Sequence, residues 1–124
     1  MKALYFLALA AAVPFAPVHA ACSYPTEPTD IPDGKTATIE QMVTAQKSVK
    51  AFDEAIVAYT SCLKLEHEAA LAKSPDMSDD QKKEMEKKLA QKHDAAISAD
   101  EALAARFNEQ VKAYKAAKDA GTSK

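Results

Sequence analysis

Tryptophan is missing from this chain, and only two of its 124 residues are glycine. Gly34 and Gly121 lie far apart, so the chain has no glycine-rich loop of the kind that binds phosphate. Alanine, in contrast, is the commonest residue after position 20. A chain poor in glycine and rich in alanine is expected to form long helices that meet along thin, closely packed seams.

An excess of positive charge is also lacking, since 16 basic residues face 18 acidic ones. No basic stripe is available to neutralise phosphates, which argues against nucleic acid as a partner. Catalytic signatures are lacking as well: the sequence has no Ser/His/Asp set, no paired-carboxylate motif and no helical pair of metal ligands at His67 or His93. We therefore expect no enzyme activity, no cofactor and no metal.

The first 20 residues have the pattern of a signal peptide. Lys2 supplies the positive charge, residues 3–13 form an apolar run, and residues 18–20 (Val-His-Ala) fit the small-residue rule for cleavage before Ala21. The run is shorter than the roughly 20 residues that span a bilayer, so no transmembrane segment is expected after processing. The prediction is a periplasmic or secreted protein of 104 residues with a net charge of −3.

Cys22 leaves a second outcome of export open, namely lipidation of its side chain and tethering to a membrane. A lipoprotein signal favours an aliphatic residue three positions before the cysteine, where this chain has His19. Lipidation at Cys22 is therefore the alternative to a soluble exported form.

The only other cysteine is Cys62, too distant in sequence for the close C-x-x-C spacing of a thioredoxin-like pair. An oxidising compartment favours a disulfide between Cys22 and Cys62 over two free thiols. Three prolines in residues 21–37 predict an extended, polyproline-like arm that ends in a turn. Such an arm is long enough to fold back and reach Cys62, which favours a docked arm over a disordered tail.

Two segments combine a helix-capping box with helical periodicity. The box at residues 38–41 (Thr-Ile-Glu-Gln) predicts a first helix that ends near residue 72, ahead of a Ser-Pro pair. The box at residues 78–81 (Ser-Asp-Asp-Gln) predicts a second helix that ends near residue 120, with Gly121 as its C-terminal cap. The expected fold is all-α, a long antiparallel hairpin over residues 38–120 with a tail at residues 121–124.

Apolar residues recur along both helices with a heptad-like spacing, which predicts a seam between them. Four aromatic residues lie on this seam: Phe52, Tyr59, Phe107 and Tyr114. Aromatic residues at such positions are more often core than binding platform, and these four are also the candidate face for a protein partner. Glu66 is a polar residue on the seam. Its carboxylate either reaches water where the seam opens or contacts a Lys or Gln of the second helix.

Four parts of the sequence resemble a set of small, uncharacterised exported helical proteins of Gram-negative bacteria. They are Cys22 with Pro25, residues 31–38 (Ile-Pro-Asp-Gly-Lys-Thr-Ala-Thr), residues 59–63 (Tyr-Thr-Ser-Cys-Leu) and residues 106–111 (Arg-Phe-Asn-Glu-Gln-Val). This resemblance implies no activity. Residues 77–81 (Met-Ser-Asp-Asp-Gln) are also similar to the Leu-Thr-x-x-Gln motif of the Spy/CpxP periplasmic chaperones, with Met and Ser in place of Leu and Thr.

Two functional hypotheses are consistent with these patterns. The first is a non-catalytic envelope protein that binds an unidentified protein partner through a helix face or the arm. The second is a holdase chaperone of the Spy type that holds unfolded clients on a concave apolar face. Because two helices bury only one stripe each, a homodimeric four-helix arrangement is the hypothesis for the remaining apolar surface.

Overall fold

The structure, a computed structural model, describes residues 21–122 and contains two α-helices. Helix α1 spans Ile39–Lys73 and helix α2 spans Asp79–Thr122, and the described residues include no β-strand. The predicted all-helical fold is confirmed. The predicted signal peptide and its cleavage site fall before residue 21, outside the described residues.

Both predicted capping boxes are present at the starts of the helices. At α1 the Thr38 hydroxyl accepts the Gln41 N–H at 3.2 Å, and the Gln41 side chain accepts the Thr38 N–H at 2.8 Å. At α2 the Ser78 hydroxyl and the Gln81 side chain form the same reciprocal pair, at 3.3 and 3.0 Å. Each box pairs two backbone donors that a helix start otherwise leaves without partners. The start of each helix was therefore predictable from four consecutive residues.

The end of α2 differs from the prediction. Gly121 lies inside the helix, which continues to Thr122, and no glycine in the described chain has a positive φ. Gly121 is therefore not a left-handed C-terminal cap. A β-carbon at this position would meet no atom within 4 Å.

The two helices pack along a narrow apolar seam in which early residues of α1 meet late residues of α2. One buried cluster joins Met42 and Ala45 of α1 to Phe107 of α2. A second cluster contains the following residues from the middle of both helices: Phe52, Ile56, Ala96 and Leu103. Ile56 and Leu103 have the most deeply buried large side chains, at 1% and 0% exposure. Both residues belong to the second cluster, at the middle of the seam.

The part of the chain before α1, residues 21–38, contains no helix or strand, and we call it the N-terminal segment. Ile31 of this segment packs against both buried clusters, and Ala37 is itself buried. Asp33 organises a turn between them, because its carbonyl accepts the Ala37 N–H at 2.8 Å and its carboxylate accepts the Lys35 N–H at 3.0 Å. The N-terminal segment thus contributes to the same core as the helices.

None of the helices within residues 21–122 has a stretch both long enough and apolar enough to cross a membrane.

Candidate functional site

The candidate site is the set of contacts between the N-terminal segment and the two helices. It begins at Cys22, which is paired with Cys62 of α1 in a disulfide bond. The two α-carbons are 5.8 Å apart, within the range that a disulfide bridges without moving the backbone. The predicted pairing of the two cysteines therefore fits the positions of both residues.

Glu66 lies one helical turn beyond Cys62 and interacts with the same end of the segment. Its carboxylate accepts the backbone N–H of Cys22 at 3.0 Å, in an exposed position. Sequence reasoning offered water or a side chain of the second helix as the partner of Glu66. Glu66 is exposed, as the first alternative expected, and it also accepts this hydrogen bond from the N-terminal segment because residues four apart on a helix lie on the same face.

Two side-chain contacts follow along the segment, one to each helix. The ring of Tyr24 meets the ring of Tyr59 on α1 edge to face, with centroids 5.3 Å apart and an interplanar angle of 81°. This is a favoured geometry because the positive edge of one ring faces the negative face of the other. Glu27 forms an ion pair with Arg106 of α2, and both side chains are partly exposed. The segment is therefore in contact with α1 and α2 at once.

The far end of the segment is fixed to α2 by its backbone. The Gly34 N–H donates to the side-chain oxygen of Gln110 at 2.9 Å. A β-carbon on Gly34 would lie 1.9 Å from the carbonyl oxygen of Gln110, closer than any real contact. Glycine is required here because the two backbones approach so closely, and its φ value is not the reason.

Two carboxyl groups meet on the helix seam itself. Asp100 of α2 faces Asp53 of α1, and both line an open cleft with Val49 and Phe107. Partial burial, a hydrogen bond that the protonated Asp100 carboxyl group donates to Asp53, and the repulsion between the two carboxylates raise the pKa of Asp100 above its ordinary value.

The geometry at the cysteines gives no support for metal chemistry. Among residues 21–122 the group whose ligand atoms lie close enough to hold a metal ion consists of Cys22, Cys62 and Glu66. Its two sulfurs are bonded to each other, so they are not thiolate ligands. The contact holds chain segments together.

The four seam aromatics have different surroundings. Phe52 and Phe107 are buried in the two clusters between the helices, at 3% and 8% exposure. Tyr59 and Tyr114 are half-buried, and the Lys118 ammonium lies 5.2 Å from the centre of the Tyr114 ring. The two phenylalanines are core residues, so a partner would reach them only if the helices separated. A role of these aromatics in binding stays a prediction.

Several of these contacts were not indicated by the sequence. The pairs concerned are Tyr24 with Tyr59, Glu27 with Arg106, Gly34 with Gln110, and Asp53 with Asp100. The opposite charges of Glu27 and Arg106 were one available signal. No periodicity specifies which residue of an irregular segment meets which helical residue, so that signal was insufficient.

Comparison with protein-family models finds no match to this chain. Comparison with curated proteins finds none either, and no solved structure matches it.

Proposed function

We propose that this chain is a non-catalytic protein of the cell envelope that is exported, loses residues 1–20 and binds a protein partner. Its architecture in this proposal is a two-helix hairpin with a proline-rich arm clipped along it. The observation that carries the proposal is the continuous fixing of the N-terminal segment, from Cys22 to Gly34, to side chains of both helices.

Export is supported by the paired cysteines together with the leader pattern. Disulfides persist in the periplasm and outside the cell, whereas cytosolic reductants keep thiols reduced. A structural disulfide at Cys22 also uses the sulfur atom that a lipid anchor would need. The soluble form cut before Ala21 is therefore favoured over the lipoprotein.

A binding role is supported by how the segment presents its own side chains. Tyr24 is 49% exposed, although its ring contacts the ring of Tyr59. An exposed tyrosine on a rigidly held backbone costs little conformational entropy when it becomes buried in an interface. The clipped arm is accordingly the proposed binding surface, with Tyr24 near its disulfide-bonded end.

The first experiment is the intact mass of the protein isolated from its native envelope, with and without a thiol reductant. A chain that begins at Ala21 and gains two hydrogens on reduction is expected. An acylated chain that begins at Cys22 would contradict the proposal, as would a protein that keeps residues 1–20.

Partner binding is tested by a photoreactive phenylalanine analogue at Tyr24, which preserves the aromatic ring beside Tyr59. Irradiation of intact cells is expected to give one discrete adduct whose mass differs from that of two copies of this chain. The same analogue at exposed Lys112 on α2 is the control. Equal adducts at both positions, or none at Tyr24, would remove the arm as the binding surface.

A Spy-type holdase is the second candidate, favoured by four large apolar side chains exposed on α1: Ile39, Val43, Val57 and Leu65. The likeness of residues 77–81 to the chaperone motif supports it less, since the capping box accounts for Ser78 and Gln81. Suppression of the aggregation of an unfolded client at near-stoichiometric amounts is the result that a holdase gives. No suppression at large excess would exclude it.

A further inference from the structure

The four exposed apolar residues of α1 lie on one face of the helix, away from the seam with α2. At roughly 100° per residue, the positions of Ile39, Val43, Val57 and Leu65 fall within about 80° of the helix circumference. Their exposed fractions are 53%, 40%, 58% and 65%. We call this surface the outer stripe. The four apolar residues are covered by neither α2 nor the N-terminal segment, since the segment contacts another side of α1 and α2 reaches only the edge of this face, where Lys47 and Lys50 line a cleft with Asp100 and Phe107.

The middle of the outer stripe is charged. Lys50 and Glu54 lie between the apolar ends and form an i,i+4 pair, with nitrogen and oxygen 3.9 Å apart and side chains 76% and 69% exposed. Both fall on the same face as Val57 at roughly 100° per residue. Lys47 lies on this face as well, so the outer stripe has apolar residues toward both ends and two lysines and one glutamate between them.

The outer stripe can pair with the outer stripe of a second α1 helix that runs in the opposite direction. Lys50 and Glu54 are each two positions from Phe52, and Ile39 and Leu65 are each thirteen positions from it. Two α1 helices running in opposite directions, with a two-fold axis near Phe52, therefore place Lys50 of each copy beside Glu54 of the other. The same register places Ile39 beside Leu65 at both ends.

We propose that the outer stripe is the interface with a second copy of this chain. A two-fold interface uses one surface twice, so every contact off the axis occurs as an equivalent pair. The proposed interface has two Lys50–Glu54 pairs at the centre and two Ile39–Leu65 contacts about 20 Å on either side of it. Val57 meets the aliphatic stem of Lys47, which can cover an apolar side chain while its ammonium stays in water.

Charge complementarity is what selects a second copy in place of another protein. An apolar partner surface would leave Lys50 and Glu54 without compensation between the chains, and a partner of one charge sign would oppose one of them. A reversed copy satisfies both. The inference requires neither export nor binding at the arm, so it stands or falls separately from the proposed function.

The test is sedimentation equilibrium of the oxidised protein and of two single charge reversals, Lys50→Glu and Glu54→Lys. The unchanged protein is expected to dimerise. Each reversal places like charges together at two symmetric sites, which should weaken self-association by about tenfold or more. Mixing the two variants should restore association, because the mixed dimer pairs glutamate with lysine at both sites.

Recovery of association on mixing distinguishes repulsion across the interface from repulsion within one helix. Within each variant residues 50 and 54 carry the same charge, and mixing does not change that intrahelical repulsion. The Lys112→Glu variant is the matched control on α2 and should dimerise like the unchanged protein. Circular dichroism verifies that every variant keeps its helices.

Three results would overturn the proposal. One is a monomer at all concentrations up to the millimolar range, which would leave the outer stripe to a different protein. Another is a dimer that neither reversal weakens, which would place the interface elsewhere. The third is weakening by both reversals without recovery on mixing, which would exclude the antiparallel register.

Discussion

Gly34 and Gln110 are joined twice, by a hydrogen bond of 2.9 Å from the glycine N–H and by direct contact of their backbones. They are separated by 76 positions in sequence, so this contact ties the chain before α1 to the second half of α2. It lies at the opposite end of the N-terminal segment from Cys22 and Cys62. The segment is therefore held at both ends, by different chemistry at each end.

The first prediction concerns this glycine. Gly34→Ala should lower the free energy of unfolding by about 2 kcal/mol, because the new methyl group meets backbone atoms that have no rotamer to move into. Gly121→Ala is the matched control, since it meets no atom within 4 Å and lies within a helix. Because Gly121 is one residue from the end of the helix, this change should alter the free energy of unfolding by no more than about 0.5 kcal/mol. Urea denaturation measures both, and equal effects would contradict the close approach at Gly34.

The second prediction concerns the cysteines. Replacing both Cys22 and Cys62 by serine should lower the free energy of unfolding by about 4 kcal/mol in the chain-entropy description of a crosslink with sequence separation 40. The reduced unchanged protein should match the double variant, because both lack only the crosslink. A loss below about 1 kcal/mol would contradict this prediction. It would mean that the unfolded chain keeps enough residual structure without the crosslink to limit its gain in entropy.

The third prediction is a pH dependence that arises at Asp100. Its folded-state pKa is raised, so the folded protein holds this proton more tightly than the unfolded chain does. The stabilising contribution of the proton is present below the ordinary pKa of Asp and is lost as the pH rises through the raised folded value. Asp100→Asn should therefore stabilise the protein at neutral pH, by roughly 0.5 kcal/mol at this partly exposed site.

Thermal unfolding between pH 3 and pH 8 measures this effect at Asp100. The difference in stability between Asp100→Asn and the unchanged protein should shrink as the pH falls. Asp76→Asn, in the connection between the helices, is the control and should show no such trend. A variant less stable than the unchanged protein at neutral pH would show that the two carboxylates do not repel each other.

The fourth prediction concerns Glu27 and Arg106. A double-mutant cycle with Glu27→Gln and Arg106→Gln should give a coupling of about 0.5 kcal/mol, since exposed ion pairs contribute little. The coupling should decrease in 1 M salt because screening weakens interactions between exposed charges. A coupling that salt leaves unchanged would indicate a contact other than an ion pair.

The helix starts were predictable because each depends on four consecutive residues. Thr38 with Gln41 and Ser78 with Gln81 carry both halves of a capping box, whatever the rest of the chain does. The pairing of Cys22 with Cys62 needed only the count of cysteines and the reach of an extended segment. Both features depend on a few adjacent residues or on the reach of the chain, and not on how the helices pack.

The remaining site residues depend on how distant elements are rotated against each other. That Asp53 faces Asp100 follows from the rotation of two helices about their axes, and a shift of one residue would separate them. The partner of Glu66 was missed for a related reason, because an irregular segment has no periodicity from which its contacts can be read. At Gly121 the glycine signal was misleading, since the helix continues through this residue to Thr122 and no described glycine has a positive φ.

The bond between Cys22 and Cys62 also has a topological consequence. It closes a covalent ring that contains most of the N-terminal segment and the first two thirds of α1. A protease that cuts one peptide bond inside this ring, for example after Lys47, opens the ring but releases no fragment. The nicked protein would keep its mass apart from one added water, and its pieces would separate only after reduction.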